Sequence, residues 1–244
     1  MLRIPNLPSL FITGTDTAVG KTVVTGILAW LYDQTGIKVG IEKPVVTGVS
    51  LSTPGFSSPD LDFFKDIIPN IRGPVTSYRF EPAVSPHLAA AMAGVSIDPA
   101  RIESDHHELL QACDAVLVEG AGGILVPLNE TCFMSDLALR LRLPIIIVSR
   151  PSLGTINHTL LTVECARNKG LQIAGIIIDD YPPEPNPAEL DNPGIIERLS
   201  GFPVLAVVPH IEDFSIEDRR TSRLAGIAAK VDKQYHLLAK LESM

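Results

Sequence analysis

Gly14-Thr15-Asp16-Thr17-Ala18-Val19-Gly20-Lys21-Thr22 is the stretch whose reading decides the fold. It follows the short apolar run Leu10-Phe11-Ile12-Thr13 and precedes a helical pattern over residues 21–33. A glycine-bearing turn between strand and helix that closes on Gly-Lys-Thr has the form of a phosphate-binding loop. The backbone N–H groups of such a loop and of the helix start point at a phosphate, and a lysine adds charge. Lys21 supplies that charge here, and the Thr22 hydroxyl is placed for Mg²⁺. The usual first glycine of the motif falls at position 15, which is Thr15, while Gly14 stands one residue earlier.

Outward from the loop, short apolar runs alternate with helical ones. Strands are expected over residues 10–13, 37–42, 115–118, 144–148, 173–178 and 204–208. Helices are expected over 21–33, 60–68, 86–93, 98–113, 135–142, 155–169 and 221–241, with residues 195–199 a further short segment. Residues 50–58 and 181–193 read as surface loops, rich in Ser, Thr, Pro and Gly or in Pro and acids. Gly120-Ala121-Gly122-Gly123 reads as a turn. Strands apolar throughout and separated by helices imply a parallel sheet covered on both faces. The expected fold is a doubly wound α/β domain spanning residues 1–244, with a mostly parallel sheet flanked by helices, of the P-loop NTPase type.

Two further positions belong with the loop. Glu119 closes the apolar run Ala115-Val116-Leu117-Val118, at the sheet edge where ligands of open α/β folds bind. An acid there can position the metal of a nucleotide. Lys43 follows the second expected strand and faces the same crevice as Lys21. Two lysines converging on one phosphate site suit phosphoryl transfer, in which positioning and charge neutralisation do most of the work.

Composition narrows the class. Hydrophobic residues make up 45% and charged residues 20% of the 244, ordinary for a compact protein. The net charge of −8 argues against nucleic acid as the main partner. Cys113, Cys132 and Cys165 lack zinc or redox spacing and suit reduced thiols. The first apolar run is too short for a signal core or a membrane span. A cytoplasmic protein without nucleic-acid or membrane partners is expected. His106 and His107 read as the solvated face of a helix, and the histidines form no site.

The motifs together resemble a known family. Gly-Thr-Asp-Thr-x-Val-Gly-Lys-Thr from Gly14, Lys-Pro-Val-x-Thr-Gly from Lys43, Ser-Pro-His from Ser85, Val-Glu-Gly-Ala-Gly-Gly from Val118 and Leu-Gly-Thr-Ile-Asn-His from Leu153 are similar to those of dethiobiotin synthetases, in the same order. The resemblance implies conversion of 7,8-diaminononanoate, CO₂ and ATP into dethiobiotin, ADP and phosphate. It implies a carbamate that attacks the γ-phosphate, then ring closure by the second amine. It assigns catalysis to Lys21 and Lys43, and Mg²⁺ to Thr22, Asp60 and Glu119, with Asp60 chosen over Asp62 by spacing from Gly55. It places the nucleotide against Thr17, Ala18, Val19, Gly20, Lys21, Thr22 and Val23, and against Asp60, Glu119, Gly120, Ala121, Gly122, Asp179, Asp180 and Pro209. The substrate falls to Thr47, Gly154, Thr155 and Asn157, the last three receiving a carboxylate from the other subunit of a homodimer.

Two departures from the family stand out. Ala18 replaces a glutamate found in some members, which a backbone cradle does not need. Asp179-Asp180 stands where Asn-Asp commonly reads adenine. A carboxylate only accepts hydrogen bonds, so Asp179 leaves adenine N1 unsatisfied or suits guanine. ATP or another nucleoside triphosphate, with relaxed or altered base preference, is therefore expected. The main alternative is a partitioning or switch ATPase, a nucleotide-dependent binding module. Such proteins carry an extra lysine at the start of the loop, where this chain has Thr15 and Asp16. A carboxylate-activating synthetase with a glutaminase domain would need a longer chain. A weak relative that only binds nucleotide would not need Lys43.

Overall fold

The computed structural model describes residues 6–50, 58–68 and 71–244. The expected loop over residues 50–58, and with it Gly55, falls almost wholly outside them. In chain order the elements are β1 (Leu10–Gly14), α1 (Lys21–Gln34), β2 (Val39–Glu42), β3 (Val45–Thr47), α2 (Pro59–Ile67), β4 (Arg72–Val75), β5 (Tyr78–Phe80), α3 (Pro86–Met92), α4 (Pro99–Ala112), β6 (Ala115–Gly123), α5 (Met134–Arg140), β7 (Ile145–Ser149), α6 (Thr155–Asn168), β8 (Ile173–Tyr181), α7 (Pro187–Ser200), β9 (Val204–Pro209), α8 (Leu224–Tyr235) and α9 (Leu237–Glu242). Seven strands form one sheet in the order β4-β2-β6-β1-β7-β8-β9, and every pairing in it is parallel. β3 and β5 make a separate parallel pair.

The apolar strands are buried on both faces, which explains why they lack alternation. On β1, Leu10 and Ile12 join the core with α1, α2, α8 and α9, while Phe11 joins the opposite core with α4, α5, α6 and α7. Along β7, Ile146 and Val148 divide from Ile145 and Ile147 in the same way. α1 packs Val24, Ile27, Leu28 and Leu31 onto the sheet, each fully or nearly buried. Each such side chain contributes about 1.5–3 kcal/mol of gross burial energy. That burial fixes the helix whose first turn carries Lys21 and Thr22.

The structure departs from the sequence reading in four places. Residues 120–123 are strand rather than turn: β6 runs on to Gly123, which pairs with Gly14. Side chains are what the run lacks, since a Cβ at Gly120 would lie 2.9 Å from the Phe11 ring. Residues 187–193 are helical, because Asn186 accepts the Ala188 and Glu189 N–H groups while Glu189 accepts the Asn186 N–H. That reciprocal cap starts α7 inside the acidic stretch and carries it through Pro193. The C-terminal helix begins at Leu224 and breaks at His236, whose left-handed φ of 52° separates α8 from α9. β4 and β5 lie in a stretch with no apolar run to signal them.

His106 is a fifth correction. His107 is exposed, but His106 is only 1% exposed and meets the fully buried Glu42 at 2.7 Å. Burial pushes the Glu42 carboxyl up, and the hydrogen bond and charge of His106 work against that rise. The pair ties α4 to the last residue of β2, directly before Lys43. His106→Ala leaves Glu42 buried without its partner, and an orphaned buried group of this kind costs roughly 2–4 kcal/mol. Chemical denaturation should register that loss as a lower midpoint with an unchanged slope. A midpoint equal to wild type would mean the pair contributes nothing to stability.

Candidate active site

β1 delivers the chain to the sheet edge, where Thr15 N–H donates to Val148 O at 2.9 Å. The loop then turns through Ala18 (φ 53°) and Gly20 (φ 93°) into α1. Asp16 stiffens it, accepting from Thr17 N–H at 2.7 Å and from Arg150 at 3.0 Å. Lys21 is buried and folds back over the loop, donating to Asp16 O at 3.0 Å. Burial lowers its pKa, Lys43 adds to that, and Glu119, Asp16 and Asp60 oppose it. A Cβ on Gly14 would lie 2.7 Å from Asp16 O and 3.0 Å from Lys21 Nζ. Gly14 thus leaves the room Lys21 needs to fold over the loop, one residue ahead of the motif's usual first glycine.

Four of the expected residues converge beside the loop. The Lys43 ammonium bonds Asp60, from the first turn of α2, and Glu119 Oε1 on β6 at 3.0 Å. The Thr22 hydroxyl donates to the same Glu119 oxygen at 2.9 Å. Burial alone would lower the Lys43 pKa, but Glu119 and Asp60 outweigh it and hold the ammonium above its ordinary value. Asp60 reaches Lys43 because Ser58 accepts from Leu61 N–H at 3.2 Å and starts α2 there.

Glu119 Oε2 is buried and has no hydrogen-bond partner among the described residues. An orphaned carboxylate oxygen is costly, and beside the Thr22 hydroxyl and Asp60 it offers the hard oxygen donors that Mg²⁺ takes. The described residues hold no group of three or more His, Cys, Asp or Glu able to hold a metal.

A cleft of about 710 Å³ opens from the same loop, within the usual range for small-molecule sites. Ala18, Val19, Gly20 and Val23 form one side; Asp179, Asp180 and Pro209, from β8 and β9, form another. Asp179 is 5% exposed and rests on Gly20. Burial drives its carboxyl well above the usual range, and the neighbouring Asp180 adds to the rise. Asp180, left-handed at φ 61°, pairs with His210 at 2.6 Å.

Of the other expected residues, Thr47 ends β3. Gly154 caps α6 in a left-handed conformation, with Thr155 buried and Asn157 exposed in its first turn. Ala121 and Gly122 lie along the end of β6, and Thr17 is exposed at the loop tip. Gly122 faces the loop tip, where a Cβ on it would lie 3.6 Å from Thr17 Oγ1. Sequence reasoning missed Arg150 and His210; each follows an apolar strand within a residue or two, the same signal that picked out Glu119.

The chain is similar to known proteins over most of its length. A family model described as an AAA domain matches residues 8–218. The chain is 43% identical over 210 residues to the ATP-dependent dethiobiotin synthetase BioD of Anoxybacillus flavithermus, covering 86% of this chain and 95% of that protein. It is 40% identical over 209 residues to the enzyme of the same name from Bacillus subtilis strain 168, covering 85% and 89%. Among solved structures, the septum site-determining protein MinD of Pyrococcus horikoshii matches with a TM-score of 0.59 at 19% identity, over 96% of this chain and 94% of that one. That last likeness speaks for the fold alone. With its phosphate loop, its second lysine and these relatives, the chain belongs to the ATP-dependent dethiobiotin synthetase family.

Proposed function

We propose that this chain is an ATP-dependent dethiobiotin synthetase, a ligase that closes a ureido ring on 7,8-diaminononanoate with CO₂. The observation that carries the reading is Lys43, buried among Thr22, Asp60 and Glu119 at the edge of the phosphate loop. A protein that only binds nucleotide has no use for a second lysine there. A carbamate formed on one substrate amine attacks the γ-phosphate. Lys21 and Lys43 draw in its oxygens and those of the phosphate, stabilising negative charge as it gathers in the transition state. The second amine then attacks the carbonyl carbon and phosphate leaves. No protein nucleophile is needed.

Thr22, Asp60 and Glu119 would hold Mg²⁺, which when bound neutralises phosphate oxygens. The loop from Thr17 to Val23 cradles the phosphates, with Gly120, Ala121 and Gly122 allowing close approach. Asp179, Asp180 and Pro209 border the nucleoside. Thr47 contacts the substrate. Gly154, Thr155 and Asn157, at a helix N-terminus suited to a carboxylate, receive its far end from the partner of a homodimer. Leu153 and Leu161, 90% and 61% exposed on the same helix and its approach, give that partner an apolar surface. The reading takes residues 1–244 as one nucleotide-binding unit, working in the cytoplasm with its three thiols free. Incubation with diaminononanoate, bicarbonate and Mg²⁺-ATP should yield dethiobiotin by mass detection, with one ADP per ring. ATP consumed without a ureido product would refute the reading.

A further inference from the structure

The wall of the nucleoside cleft carries a carboxyl group that the reaction does not use. A nucleotide anchored by its phosphates at the loop extends into the cleft, because Ala18, Val19 and Gly20 belong to both. Pro182, Pro183 and Pro209 line the cleft without N–H groups to offer. The His210 N–H is already given to Tyr181 O at 2.7 Å. The Asp179 side chain is the buried polar group facing this space.

We infer that Asp179 meets the nucleobase as a neutral carboxylic acid, accepting at one oxygen and donating from the other, and that this makes the cleft tolerant of adenine and guanine alike. The inference rests on the nucleotide-using reading of the loop and deepens it. Among the described residues no cation pairs with Asp179. Arg150 lines the same cleft but holds Asp16 at 3.0 Å, and His210 is turned to Asp180 at 2.6 Å. The other charged groups facing the cleft, Asp180 and Glu189, are acids. A carboxyl 5% exposed, pressed on Gly20 and flanked by acids keeps its proton. Burial first, and then the charge of Asp180, carry it well above the ordinary carboxylate range, outweighing the Asp180 backbone hydrogen bond that works against the rise.

A protonated carboxyl has one O–H donor and keeps acceptor capacity. Adenine presents an amino donor beside the N1 acceptor. Guanine presents an O6 acceptor beside an N1 donor, in the reverse order. The acid satisfies either edge by carrying its proton on one oxygen or the other. An ionised carboxylate would instead match only the two adjacent donors of guanine. Burial therefore turns the expected acceptor into a two-way reader.

Calorimetric binding of Mg²⁺-ADP and Mg²⁺-GDP tests this without requiring turnover, so failure to make dethiobiotin would strike the proposed function and not this inference. Wild type is expected to bind the two within about tenfold of each other. Asp179→Leu is expected to weaken both by about tenfold or more. The infrared difference between wild type and Asp179→Asn at neutral pH should contain a protonated-carboxyl C=O band. A preference beyond tenfold for either nucleotide, unchanged binding in Asp179→Leu, or absence of that band would each overturn the inference. Should Asp179→Leu fail to fold, the wild-type ratio and the band decide it.

Discussion

Lys43→Gln should abolish ring closure while leaving nucleotide binding largely intact. Removing one preorganised donor from a developing anion costs about 10²–10³ in turnover, and this lysine faces both the loop and the two acids. ADP affinity should stay within about tenfold, because the backbone cradle, Lys21 and Thr22 remain. The substitution also takes the cation from Glu119, 2% exposed, and from the partly exposed Asp60. Breaking a buried pair leaves an uncompensated charge, here worth roughly 2–4 kcal/mol of stability after allowing for the exposure of Asp60. The sign with pH follows from the raised lysine pKa: the contribution is whole below the ordinary value of 10.5 and is lost only as pH climbs through the raised one. The melting temperature should therefore drop by a similar amount anywhere between mildly acidic and mildly alkaline pH. Single-turnover assays on protein shown to be folded by its melt separate the two effects. Turnover at the wild-type rate would remove Lys43 from the mechanism.

The sequence carried the parts of this site that obey local rules. Lys21 and Thr22 follow from a glycine turn before a helix; Glu119 and Lys43 follow from polar residues placed after apolar strands. The parallel sheet followed from strands with no alternation, and both faces of β1 and β7 are indeed covered. What escaped depends on distant partners. His106 sits in a polar helix and reads as solvated until Glu42, 64 residues away, is found opposite it. The glycine run of β6 reads as a turn until Phe11 and Gly14 are seen passing alongside it. Arg150 and Asp16 are 134 residues apart, and no pattern in either neighbourhood joins them. For Asp179 the residue type was legible but its charge was not, since burial and the disposition of other cations decide it.

Gly20→Ala should be as damaging to nucleotide binding as Lys43→Gln is to turnover, and for a steric reason. Gly20 holds φ at +93°, where an L side chain costs about 1–2 kcal/mol. Its Cβ would also fall 1.7 Å from Asp179 Oδ2, 2.5 Å from Cγ and 2.7 Å from Cβ. The carboxyl tip could swing, but the Asp179 Cβ is set by β8, which is held between β7 and β9. Overpacking of this kind adds roughly 1–3 kcal/mol. Together these give about 2–5 kcal/mol, paid partly as lost stability and partly as a displaced loop. Affinity for ADP should fall by about 30-fold or more, since 1.4 kcal/mol is a factor of ten. A second substitution tells strain from collision. Gly20→Ala with Asp179→Gly removes the clash, the 2.7 Å Cβ contact included, but keeps the left-handed backbone at position 20. If collision dominates, the double variant recovers stability relative to Gly20→Ala alone, a positive coupling between neighbours. Stabilities that simply add would assign the damage to φ, and a Gly20→Ala protein binding ADP as wild type would show that the loop yields at this point.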